Sequence, residues 1–155
     1  LIPSVLDRLL DDEPGVSRET TKSQTQVLRE LKQSVRRDLE NLLNTRWRSI
    51  GWPEHLAELE LSLVNYGIPD ITGADLGSAE QRERFRRILE AVIRFFEPRF
   101  VKVSVQVLES DEMLDRTLRL RIDGLLHAEP SPEPVIFDSA FEPATGNVEV
   151  RGANP

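Results

Sequence analysis

A chain of 155 residues with 39% hydrophobic and 30% charged residues can bury one core and is too apolar to be disordered. Its net charge of −7 argues against a general nucleic-acid binder, which needs a basic face. With no cysteine, disulfides, thiolate zinc sites and cysteine nucleophiles are excluded, and no apolar run approaches the ~20 residues of a membrane span.

Residues 1–24 read as a short helix and a flexible arm. Val5, Leu6, Leu9 and Leu10 give one or two amphipathic turns, too short to stand alone, which must dock on the rest of the chain or on a neighbour. Leu1–Leu10 lacks the basic start of a signal peptide and carries Asp7 and Arg8, and the absence of cysteine is compatible with the cytoplasm. Asp11 to Gln24 is polar, with Pro14 and Gly15.

Residues 25–155 read as one α+β domain. Leu28, Leu31, Val35, Leu39 and Leu42 recur at helical spacing and predict a first long helix from Thr25 to Asn44. Thr25 is its candidate N-cap, and Arg36 and Glu40 stand four apart, the spacing of a side-chain pair. A break follows at Gly51-Trp52-Pro53, and Leu56–Leu63 fits either helix or strand. Ser62–Asp70 predicts a short extended piece turning into a loop, because Asn65 and Gly67 suit positive φ and Pro69 blocks a helix.

A second long helix opens at Ser78, where Ser78 and Gln81 form a capping-box pattern, and runs to Phe96 with Phe85, Ile88, Leu89, Val92, Phe95 and Phe96 as its stripe. The period then changes. Pro98 has no N–H to continue a helix and pushes Glu97 out of the α region. Beyond it Val101, Val103, Val105 and Val107 alternate with Lys102, Ser104 and Gln106, so a strand runs from Phe100 to about Glu109.

Arg116–Leu126 predicts a second strand, with Leu118, Leu120, Ile122, Gly124 and Leu126 on one face and Thr117, Arg119, Arg121 and Asp123 on the other. Pro134–Asp138 predicts a third and Val148–Val150 a short fourth. One apolar and one polar face per strand predicts a mostly antiparallel sheet of about four strands, covered on one side by the two helices. The brevity of the fourth strand marks it as a sheet edge, which another chain can extend.

The hinge carries opposed charges. A carboxylate at a helix C-terminus faces the negative end of the macrodipole, so Glu97 needs a cation, from this chain or a partner. Arg99 is two residues on and projects the same way in an extended segment. Glu97 and Arg99 across Pro98 are therefore either a helix stop with a local ion pair or one polar device.

Catalytic chemistry is hard to find. His55 and His127 lie in no recognisable constellation, no metal-ligand or phosphate-binding spacing is present, and the carboxylates of Asp70–Asp75 match no calcium loop. Glu97 could serve a glycosidase only as a protonated acid, and Arg99 beside it favours the charged form. Two arginine groups, Arg36, Arg37, Arg46 and Arg48, then Arg82, Arg84, Arg86, Arg87 and Arg94, read as solvated helix faces laced with Glu30, Asp38, Glu40, Glu80, Glu83 and Glu90, or as a surface for an acidic partner.

Three stretches carry a family resemblance: Ser34–Arg46, Ser62–Asp70 and Phe96-Glu97-Pro98-Arg99-Phe100, with support from Ser4–Leu9 and Val135–Asp138. Their order and spacing resemble the type VI secretion baseplate subunits of the TssE family and the related phage baseplate wedge proteins. That family is labelled lysozyme-like, yet the resemblance implies a structural role and no catalytic residue. It implies a fold like the interlocking domain of the sheath protein and a role as the starting template for sheath assembly, strands from sheath subunits adding to its sheet. Glu97, Pro98 and Arg99 would contact other baseplate subunits. The implied partners are baseplate wedge and contractile sheath subunits, with no cofactor, small-molecule substrate, nucleic acid or membrane insertion. The implied location is cytoplasmic, in a membrane-docked complex. The alternative is a peptidoglycan-cleaving hydrolase. On this reading Arg99→Glu leaves the monomer folded and abolishes sheath assembly.

Overall fold

The computed structural model describes residues 5–9, 15, 23–47, 53–70, 78–108, 117–142 and 145–152. Helix α1 (Val5–Leu9) precedes two long helices, α2 (Gln24–Asn44) and α3 (Ala79–Phe96). Four strands follow: β1 (Phe100–Leu108), β2 (Leu118–Leu126), β3 (Glu133–Glu142) and β4 (Asn147–Gly152). They form one antiparallel meander in the order β1-β2-β3-β4. The α+β architecture is the expected one. The apolar residues of α1 stay exposed, so the docking its pattern calls for is not made within the described residues.

α2 starts at Gln24, one residue earlier than the expected Thr25. Ser23, not Thr25, is the N-cap: its hydroxyl accepts from the Gln26 N–H, and the Gln26 side chain accepts from the Ser23 N–H at 3.0 Å. At α3 the Ser78 hydroxyl accepts from the Gln81 N–H at 3.2 Å, while the Gln81 side chain meets that hydroxyl instead of the backbone. Between the helices the ambiguous segment folds as 3-10 helix over Glu54–Leu61 and again over Leu63–Asn65. The expected extended piece at Ser62 is lost because the Ser62 hydroxyl caps the second turn. Extended structure is confined to a parallel bridge between Arg46 and Ile68, with Ile68 N–H donating to the Thr45 carbonyl at 2.9 Å. Gly67 leads into this bridge at φ +116, where a Cβ would sit 2.4 Å from the Thr45 carbonyl oxygen.

The two helix stripes and the inner sheet face make one core. Leu31, Val35, Leu39, Leu42 and Leu43 of α2 and Phe85, Leu89, Val92 and Ile93 of α3 pack against Val103, Val105, Leu120, Ile122, Phe137, Phe141, Val148 and Val150. α2 lies against β4 and α3 against β1, and the helices touch each other little. The outer face is polar, with Arg121 paired to its cross-strand neighbour Asp138 at 3.0 Å.

Besides β4, which runs over Asn147–Gly152 where Val148–Val150 was expected, two strand details depart from expectation. β3 extends to Glu142 because alternation continues through Ser139, a polar residue at an inward position that donates to the Leu120 carbonyl at 3.5 Å. In β1 a bulge lies between Phe100, paired with Leu126, and Lys102, paired with Leu125. The extra residue is Val101, which turns out to solvent (46% exposed) while Phe100 turns in. The Phe100 ring fills the space over Gly124, where a Cβ would stand 2.2 Å from its ring edge.

Gly124→Val therefore destabilises the protein despite the β propensity of valine. We expect a loss of about 1–3 kcal/mol in urea denaturation, the range of overpacked cores. An unchanged midpoint would mean that Phe100 does not need the glycine.

Candidate functional site

The hinge between α3 and β1 is a charge clamp built from two distant parts of the chain. The Glu97 N–H closes α3 on the Ile93 carbonyl at 2.9 Å, and the Phe100 N–H returns to the Glu97 carbonyl at 3.2 Å. This tight turn over Pro98 and Arg99 points both charged side chains inward. Glu97 is 5% exposed. Its carboxylate accepts from Arg99 Nε at 2.6 Å, from the Arg99 backbone N–H at 3.3 Å and from Arg99 Nη2.

The rest of the guanidinium is satisfied by α2. Arg99 Nη1 donates to Ser34 Oγ at 2.8 Å, and Nη2 donates to Asp38 Oδ2 at 2.6 Å. Ser34 and Asp38 are four apart on α2 and so share one face. The other oxygen of Asp38 accepts from Arg37 Nε and Nη2, both at 3.1 Å. Two carboxylates thus alternate with two guanidiniums. Burial works against the charge on Arg99, but the hydrogen bonds and charges of Glu97 and Asp38 outweigh it and hold its pKa above the ordinary arginine value. Tyr66 borders the clamp: burial, then the nearby Asp38 and Glu97 charges, push its phenol up, and its ring meets Phe96 edge-on at 5.2 Å.

Of the three residues singled out in the sequence, only Pro98 is exposed. Glu97 and Arg99 come together as one internal pair. Ser34 and Asp38 were missed as members, although both lie in a stretch that carries the family resemblance. The available signal was a serine at an inward position of an apolar stripe, followed by an acid four residues on. His55 and His127 are exposed and join no cluster. Among the described residues no three His, Asp or Glu side chains gather as a metal site, and no helix is long and apolar enough to cross a membrane.

The sheet edges are held by the same helices. At β4 the Val148 N–H donates to Asn44 Oδ1 at 2.9 Å, and the Val148 carbonyl accepts from Asn44 Nδ2 at 2.7 Å. The Val150 carbonyl accepts from Arg36 Nη1 at 3.0 Å, and the Gly146 carbonyl from the Arg46 guanidinium. At β1 the Val105 N–H donates to Glu90 Oε2 and its carbonyl accepts from Arg86 Nη1, both at 3.4 Å. The Arg86 side chain is anchored on Glu83 and Glu90, and its hydrogen bonds with those of Arg87 hold the Glu83 carboxyl down to about 2.

The family described as "Baseplate wedge protein gp25" matches residues 29–131, which take in most of α2, the hinge and β2. The chain belongs to the baseplate wedge protein gp25 family. The three stretches that carried the resemblance, Ser34–Arg46, Ser62–Asp70 and Phe96–Phe100, all fall inside the matched span. No curated protein matches the chain. A chain of a solved structure, "The baseplate complex from the type VI secretion system", aligns with 22% identity and a TM-score of 0.47, covering 85% of this chain and 98% of that one.

In this family member the buried clamp changes what a hinge substitution does. Arg99→Glu, expected from the sequence to leave the monomer folded, sets a new carboxylate between Glu97 and Asp38 and is predicted to unfold it. Arg99→Ala leaves Glu97 buried without its cation and should cost about 3–5 kcal/mol in urea denaturation. A loss below about 1 kcal/mol, the range of exposed pairs, would contradict a structural clamp.

Proposed function

We propose that this chain is a structural wedge subunit of the baseplate of a type VI secretion machine. In that role it binds other baseplate subunits and serves as the template on which the contractile sheath begins, its sheet accepting strands from sheath subunits. The observation that carries the reading is the family match over residues 29–131, joined to the residue-level resemblance at the hinge. The same reading puts the protein at the cytoplasmic side of a membrane-docked complex and gives it no catalytic task.

The partner-binding role expected of Glu97, Pro98 and Arg99 takes a more specific form. Pro98 is the exposed member and the one able to touch a neighbour. Glu97 and Arg99 act behind it, fixing the turn on which it sits. The alternative, a peptidoglycan hydrolase, requires an acid free to give up a proton. Glu97 is instead engaged on both oxygens by Arg99, and nothing in the site favours that chemistry.

Affinity purification of the tagged chain with its neighbouring baseplate and sheath subunits tests the reading. The wild type should retain baseplate subunits, and cells lacking it should form no sheaths. Pro98→Asp, compared with the wild type once circular dichroism has established that both are folded, should weaken capture by about tenfold or more, the loss of a central contact. Normal sheaths in the deletion strain, or wall lysis by the purified protein that is lost in Glu97→Gln, would overturn it.

A further inference from the structure

The two edges of the meander are not equally closed. In an antiparallel ladder alternate residues of an edge strand turn both backbone groups away from the sheet. On β4 these include Val148 and Val150, and α2 holds both groups of Val148 and the carbonyl of Val150 at 2.7–3.0 Å. The Asn44 amide offers Val148 one donor and one acceptor, as a neighbouring strand would. On β1 the outward residues are Val103, Val105 and Val107. Only Val105 is held, by two contacts at 3.4 Å. Among the described residues no side chain bonds the backbone of Val103 or Val107.

We propose that a partner strand pairs with β1, along Val103–Val107, and not with the short β4. This rests on the strand-addition reading above and names the edge that it uses. Release of Val105 is undemanding, because Arg86 keeps its bonds to Glu83 at 2.8 and 2.9 Å and to Glu90 at 2.8 Å. Release of Val148 strips the Asn44 amide of both its contacts to the strand. The β1 edge also shows what it would receive. Val101, turned out by the bulge, and Lys102 stand exposed at its start, and Lys102 makes no ion pair among the described residues. The fitting partner is an extended segment with alternating apolar residues, which continue the inner face beside Val103, Val105 and Val107. Its outer side carries a carboxylate opposite Lys102.

Proline tests the edge, since at an outward-facing position it removes the free N–H and leaves the ladder to β2 intact. Wild type, Val107→Pro, Val150→Pro and Lys102→Glu are titrated with purified sheath subunits of the same machine, after circular dichroism has established folding. Amide hydrogen exchange of the wild-type complex is read alongside. We expect Val107→Pro and Lys102→Glu to weaken binding by about tenfold or more and Val150→Pro to bind as wild type, with new protection at Val103 and Val107. A folded Val107→Pro that binds normally, or protection at Val150 in place of Val107, overturns the choice of edge. Should Val107→Pro not fold, Lys102→Glu and the exchange data decide. A wild-type chain that binds no sheath subunit overturns the template reading itself, and this inference with it.

Discussion

A carboxylate at the wrong end of a helix is the constraint from which much of this structure follows. Glu97 caps α3 where the macrodipole is negative, and it is buried there. There it meets a cation, which Pro98 and the turn deliver as Arg99. A guanidinium brought out of water has five donors to satisfy, and Glu97 cannot take them all. Ser34 and Asp38 take others, so the hinge is bonded to α2. Because α2 and α3 touch each other little, this clamp is a principal direct link between α2 and the start of the sheet. Lysine could supply the charge but not the planar fork that reaches three side chains at once.

From that hinge the sheet inherits its position. Phe100 begins β1 directly after the turn, the bulge at Val101 rotates it inward over Gly124, and the valines beyond it meet α3. Edge strands leave backbone groups that need partners. Here long polar side chains of the covering helices reach around to supply them, tightly at β4 and sparingly at β1. The result is a sheet with one face in the core, one polar face and unequal edges. The hinge, bonded to α2 and closing α3, holds that sheet in a defined register against both helices.

Much of this was legible in the sequence because it is local. The stripe of α2, the change of period at Glu97–Arg99 and the alternation of β2 each depend on neighbours within a few residues, and the α+β meander followed from them. The misreadings are near-ties or small insertions. Ser23 and Thr25 are both good caps, and only the reciprocal Gln26 decides between them. Val101 continues a perfect alternation, so its bulge is invisible until Phe100 is seen to need the space over Gly124. Ser139 hid the second half of β3 by being polar at an inward position. The partners of Arg99 and the seals on Val148 were out of reach for another reason. They join residues tens of positions apart, and no periodicity encodes which polar side chain of one helix meets which turn.

Energetic coupling between α2 and the hinge is the property on which the fold turns, and a double-mutant cycle on Asp38→Ala and Arg99→Ala measures it without the contribution of Arg37 to either single change. Denaturation of the four proteins should give a coupling energy of about 1–3 kcal/mol, the range of residues sharing one buried network. Losses that add to within about 0.5 kcal/mol would show Asp38 and Arg99 to be independent and would contradict the clamp.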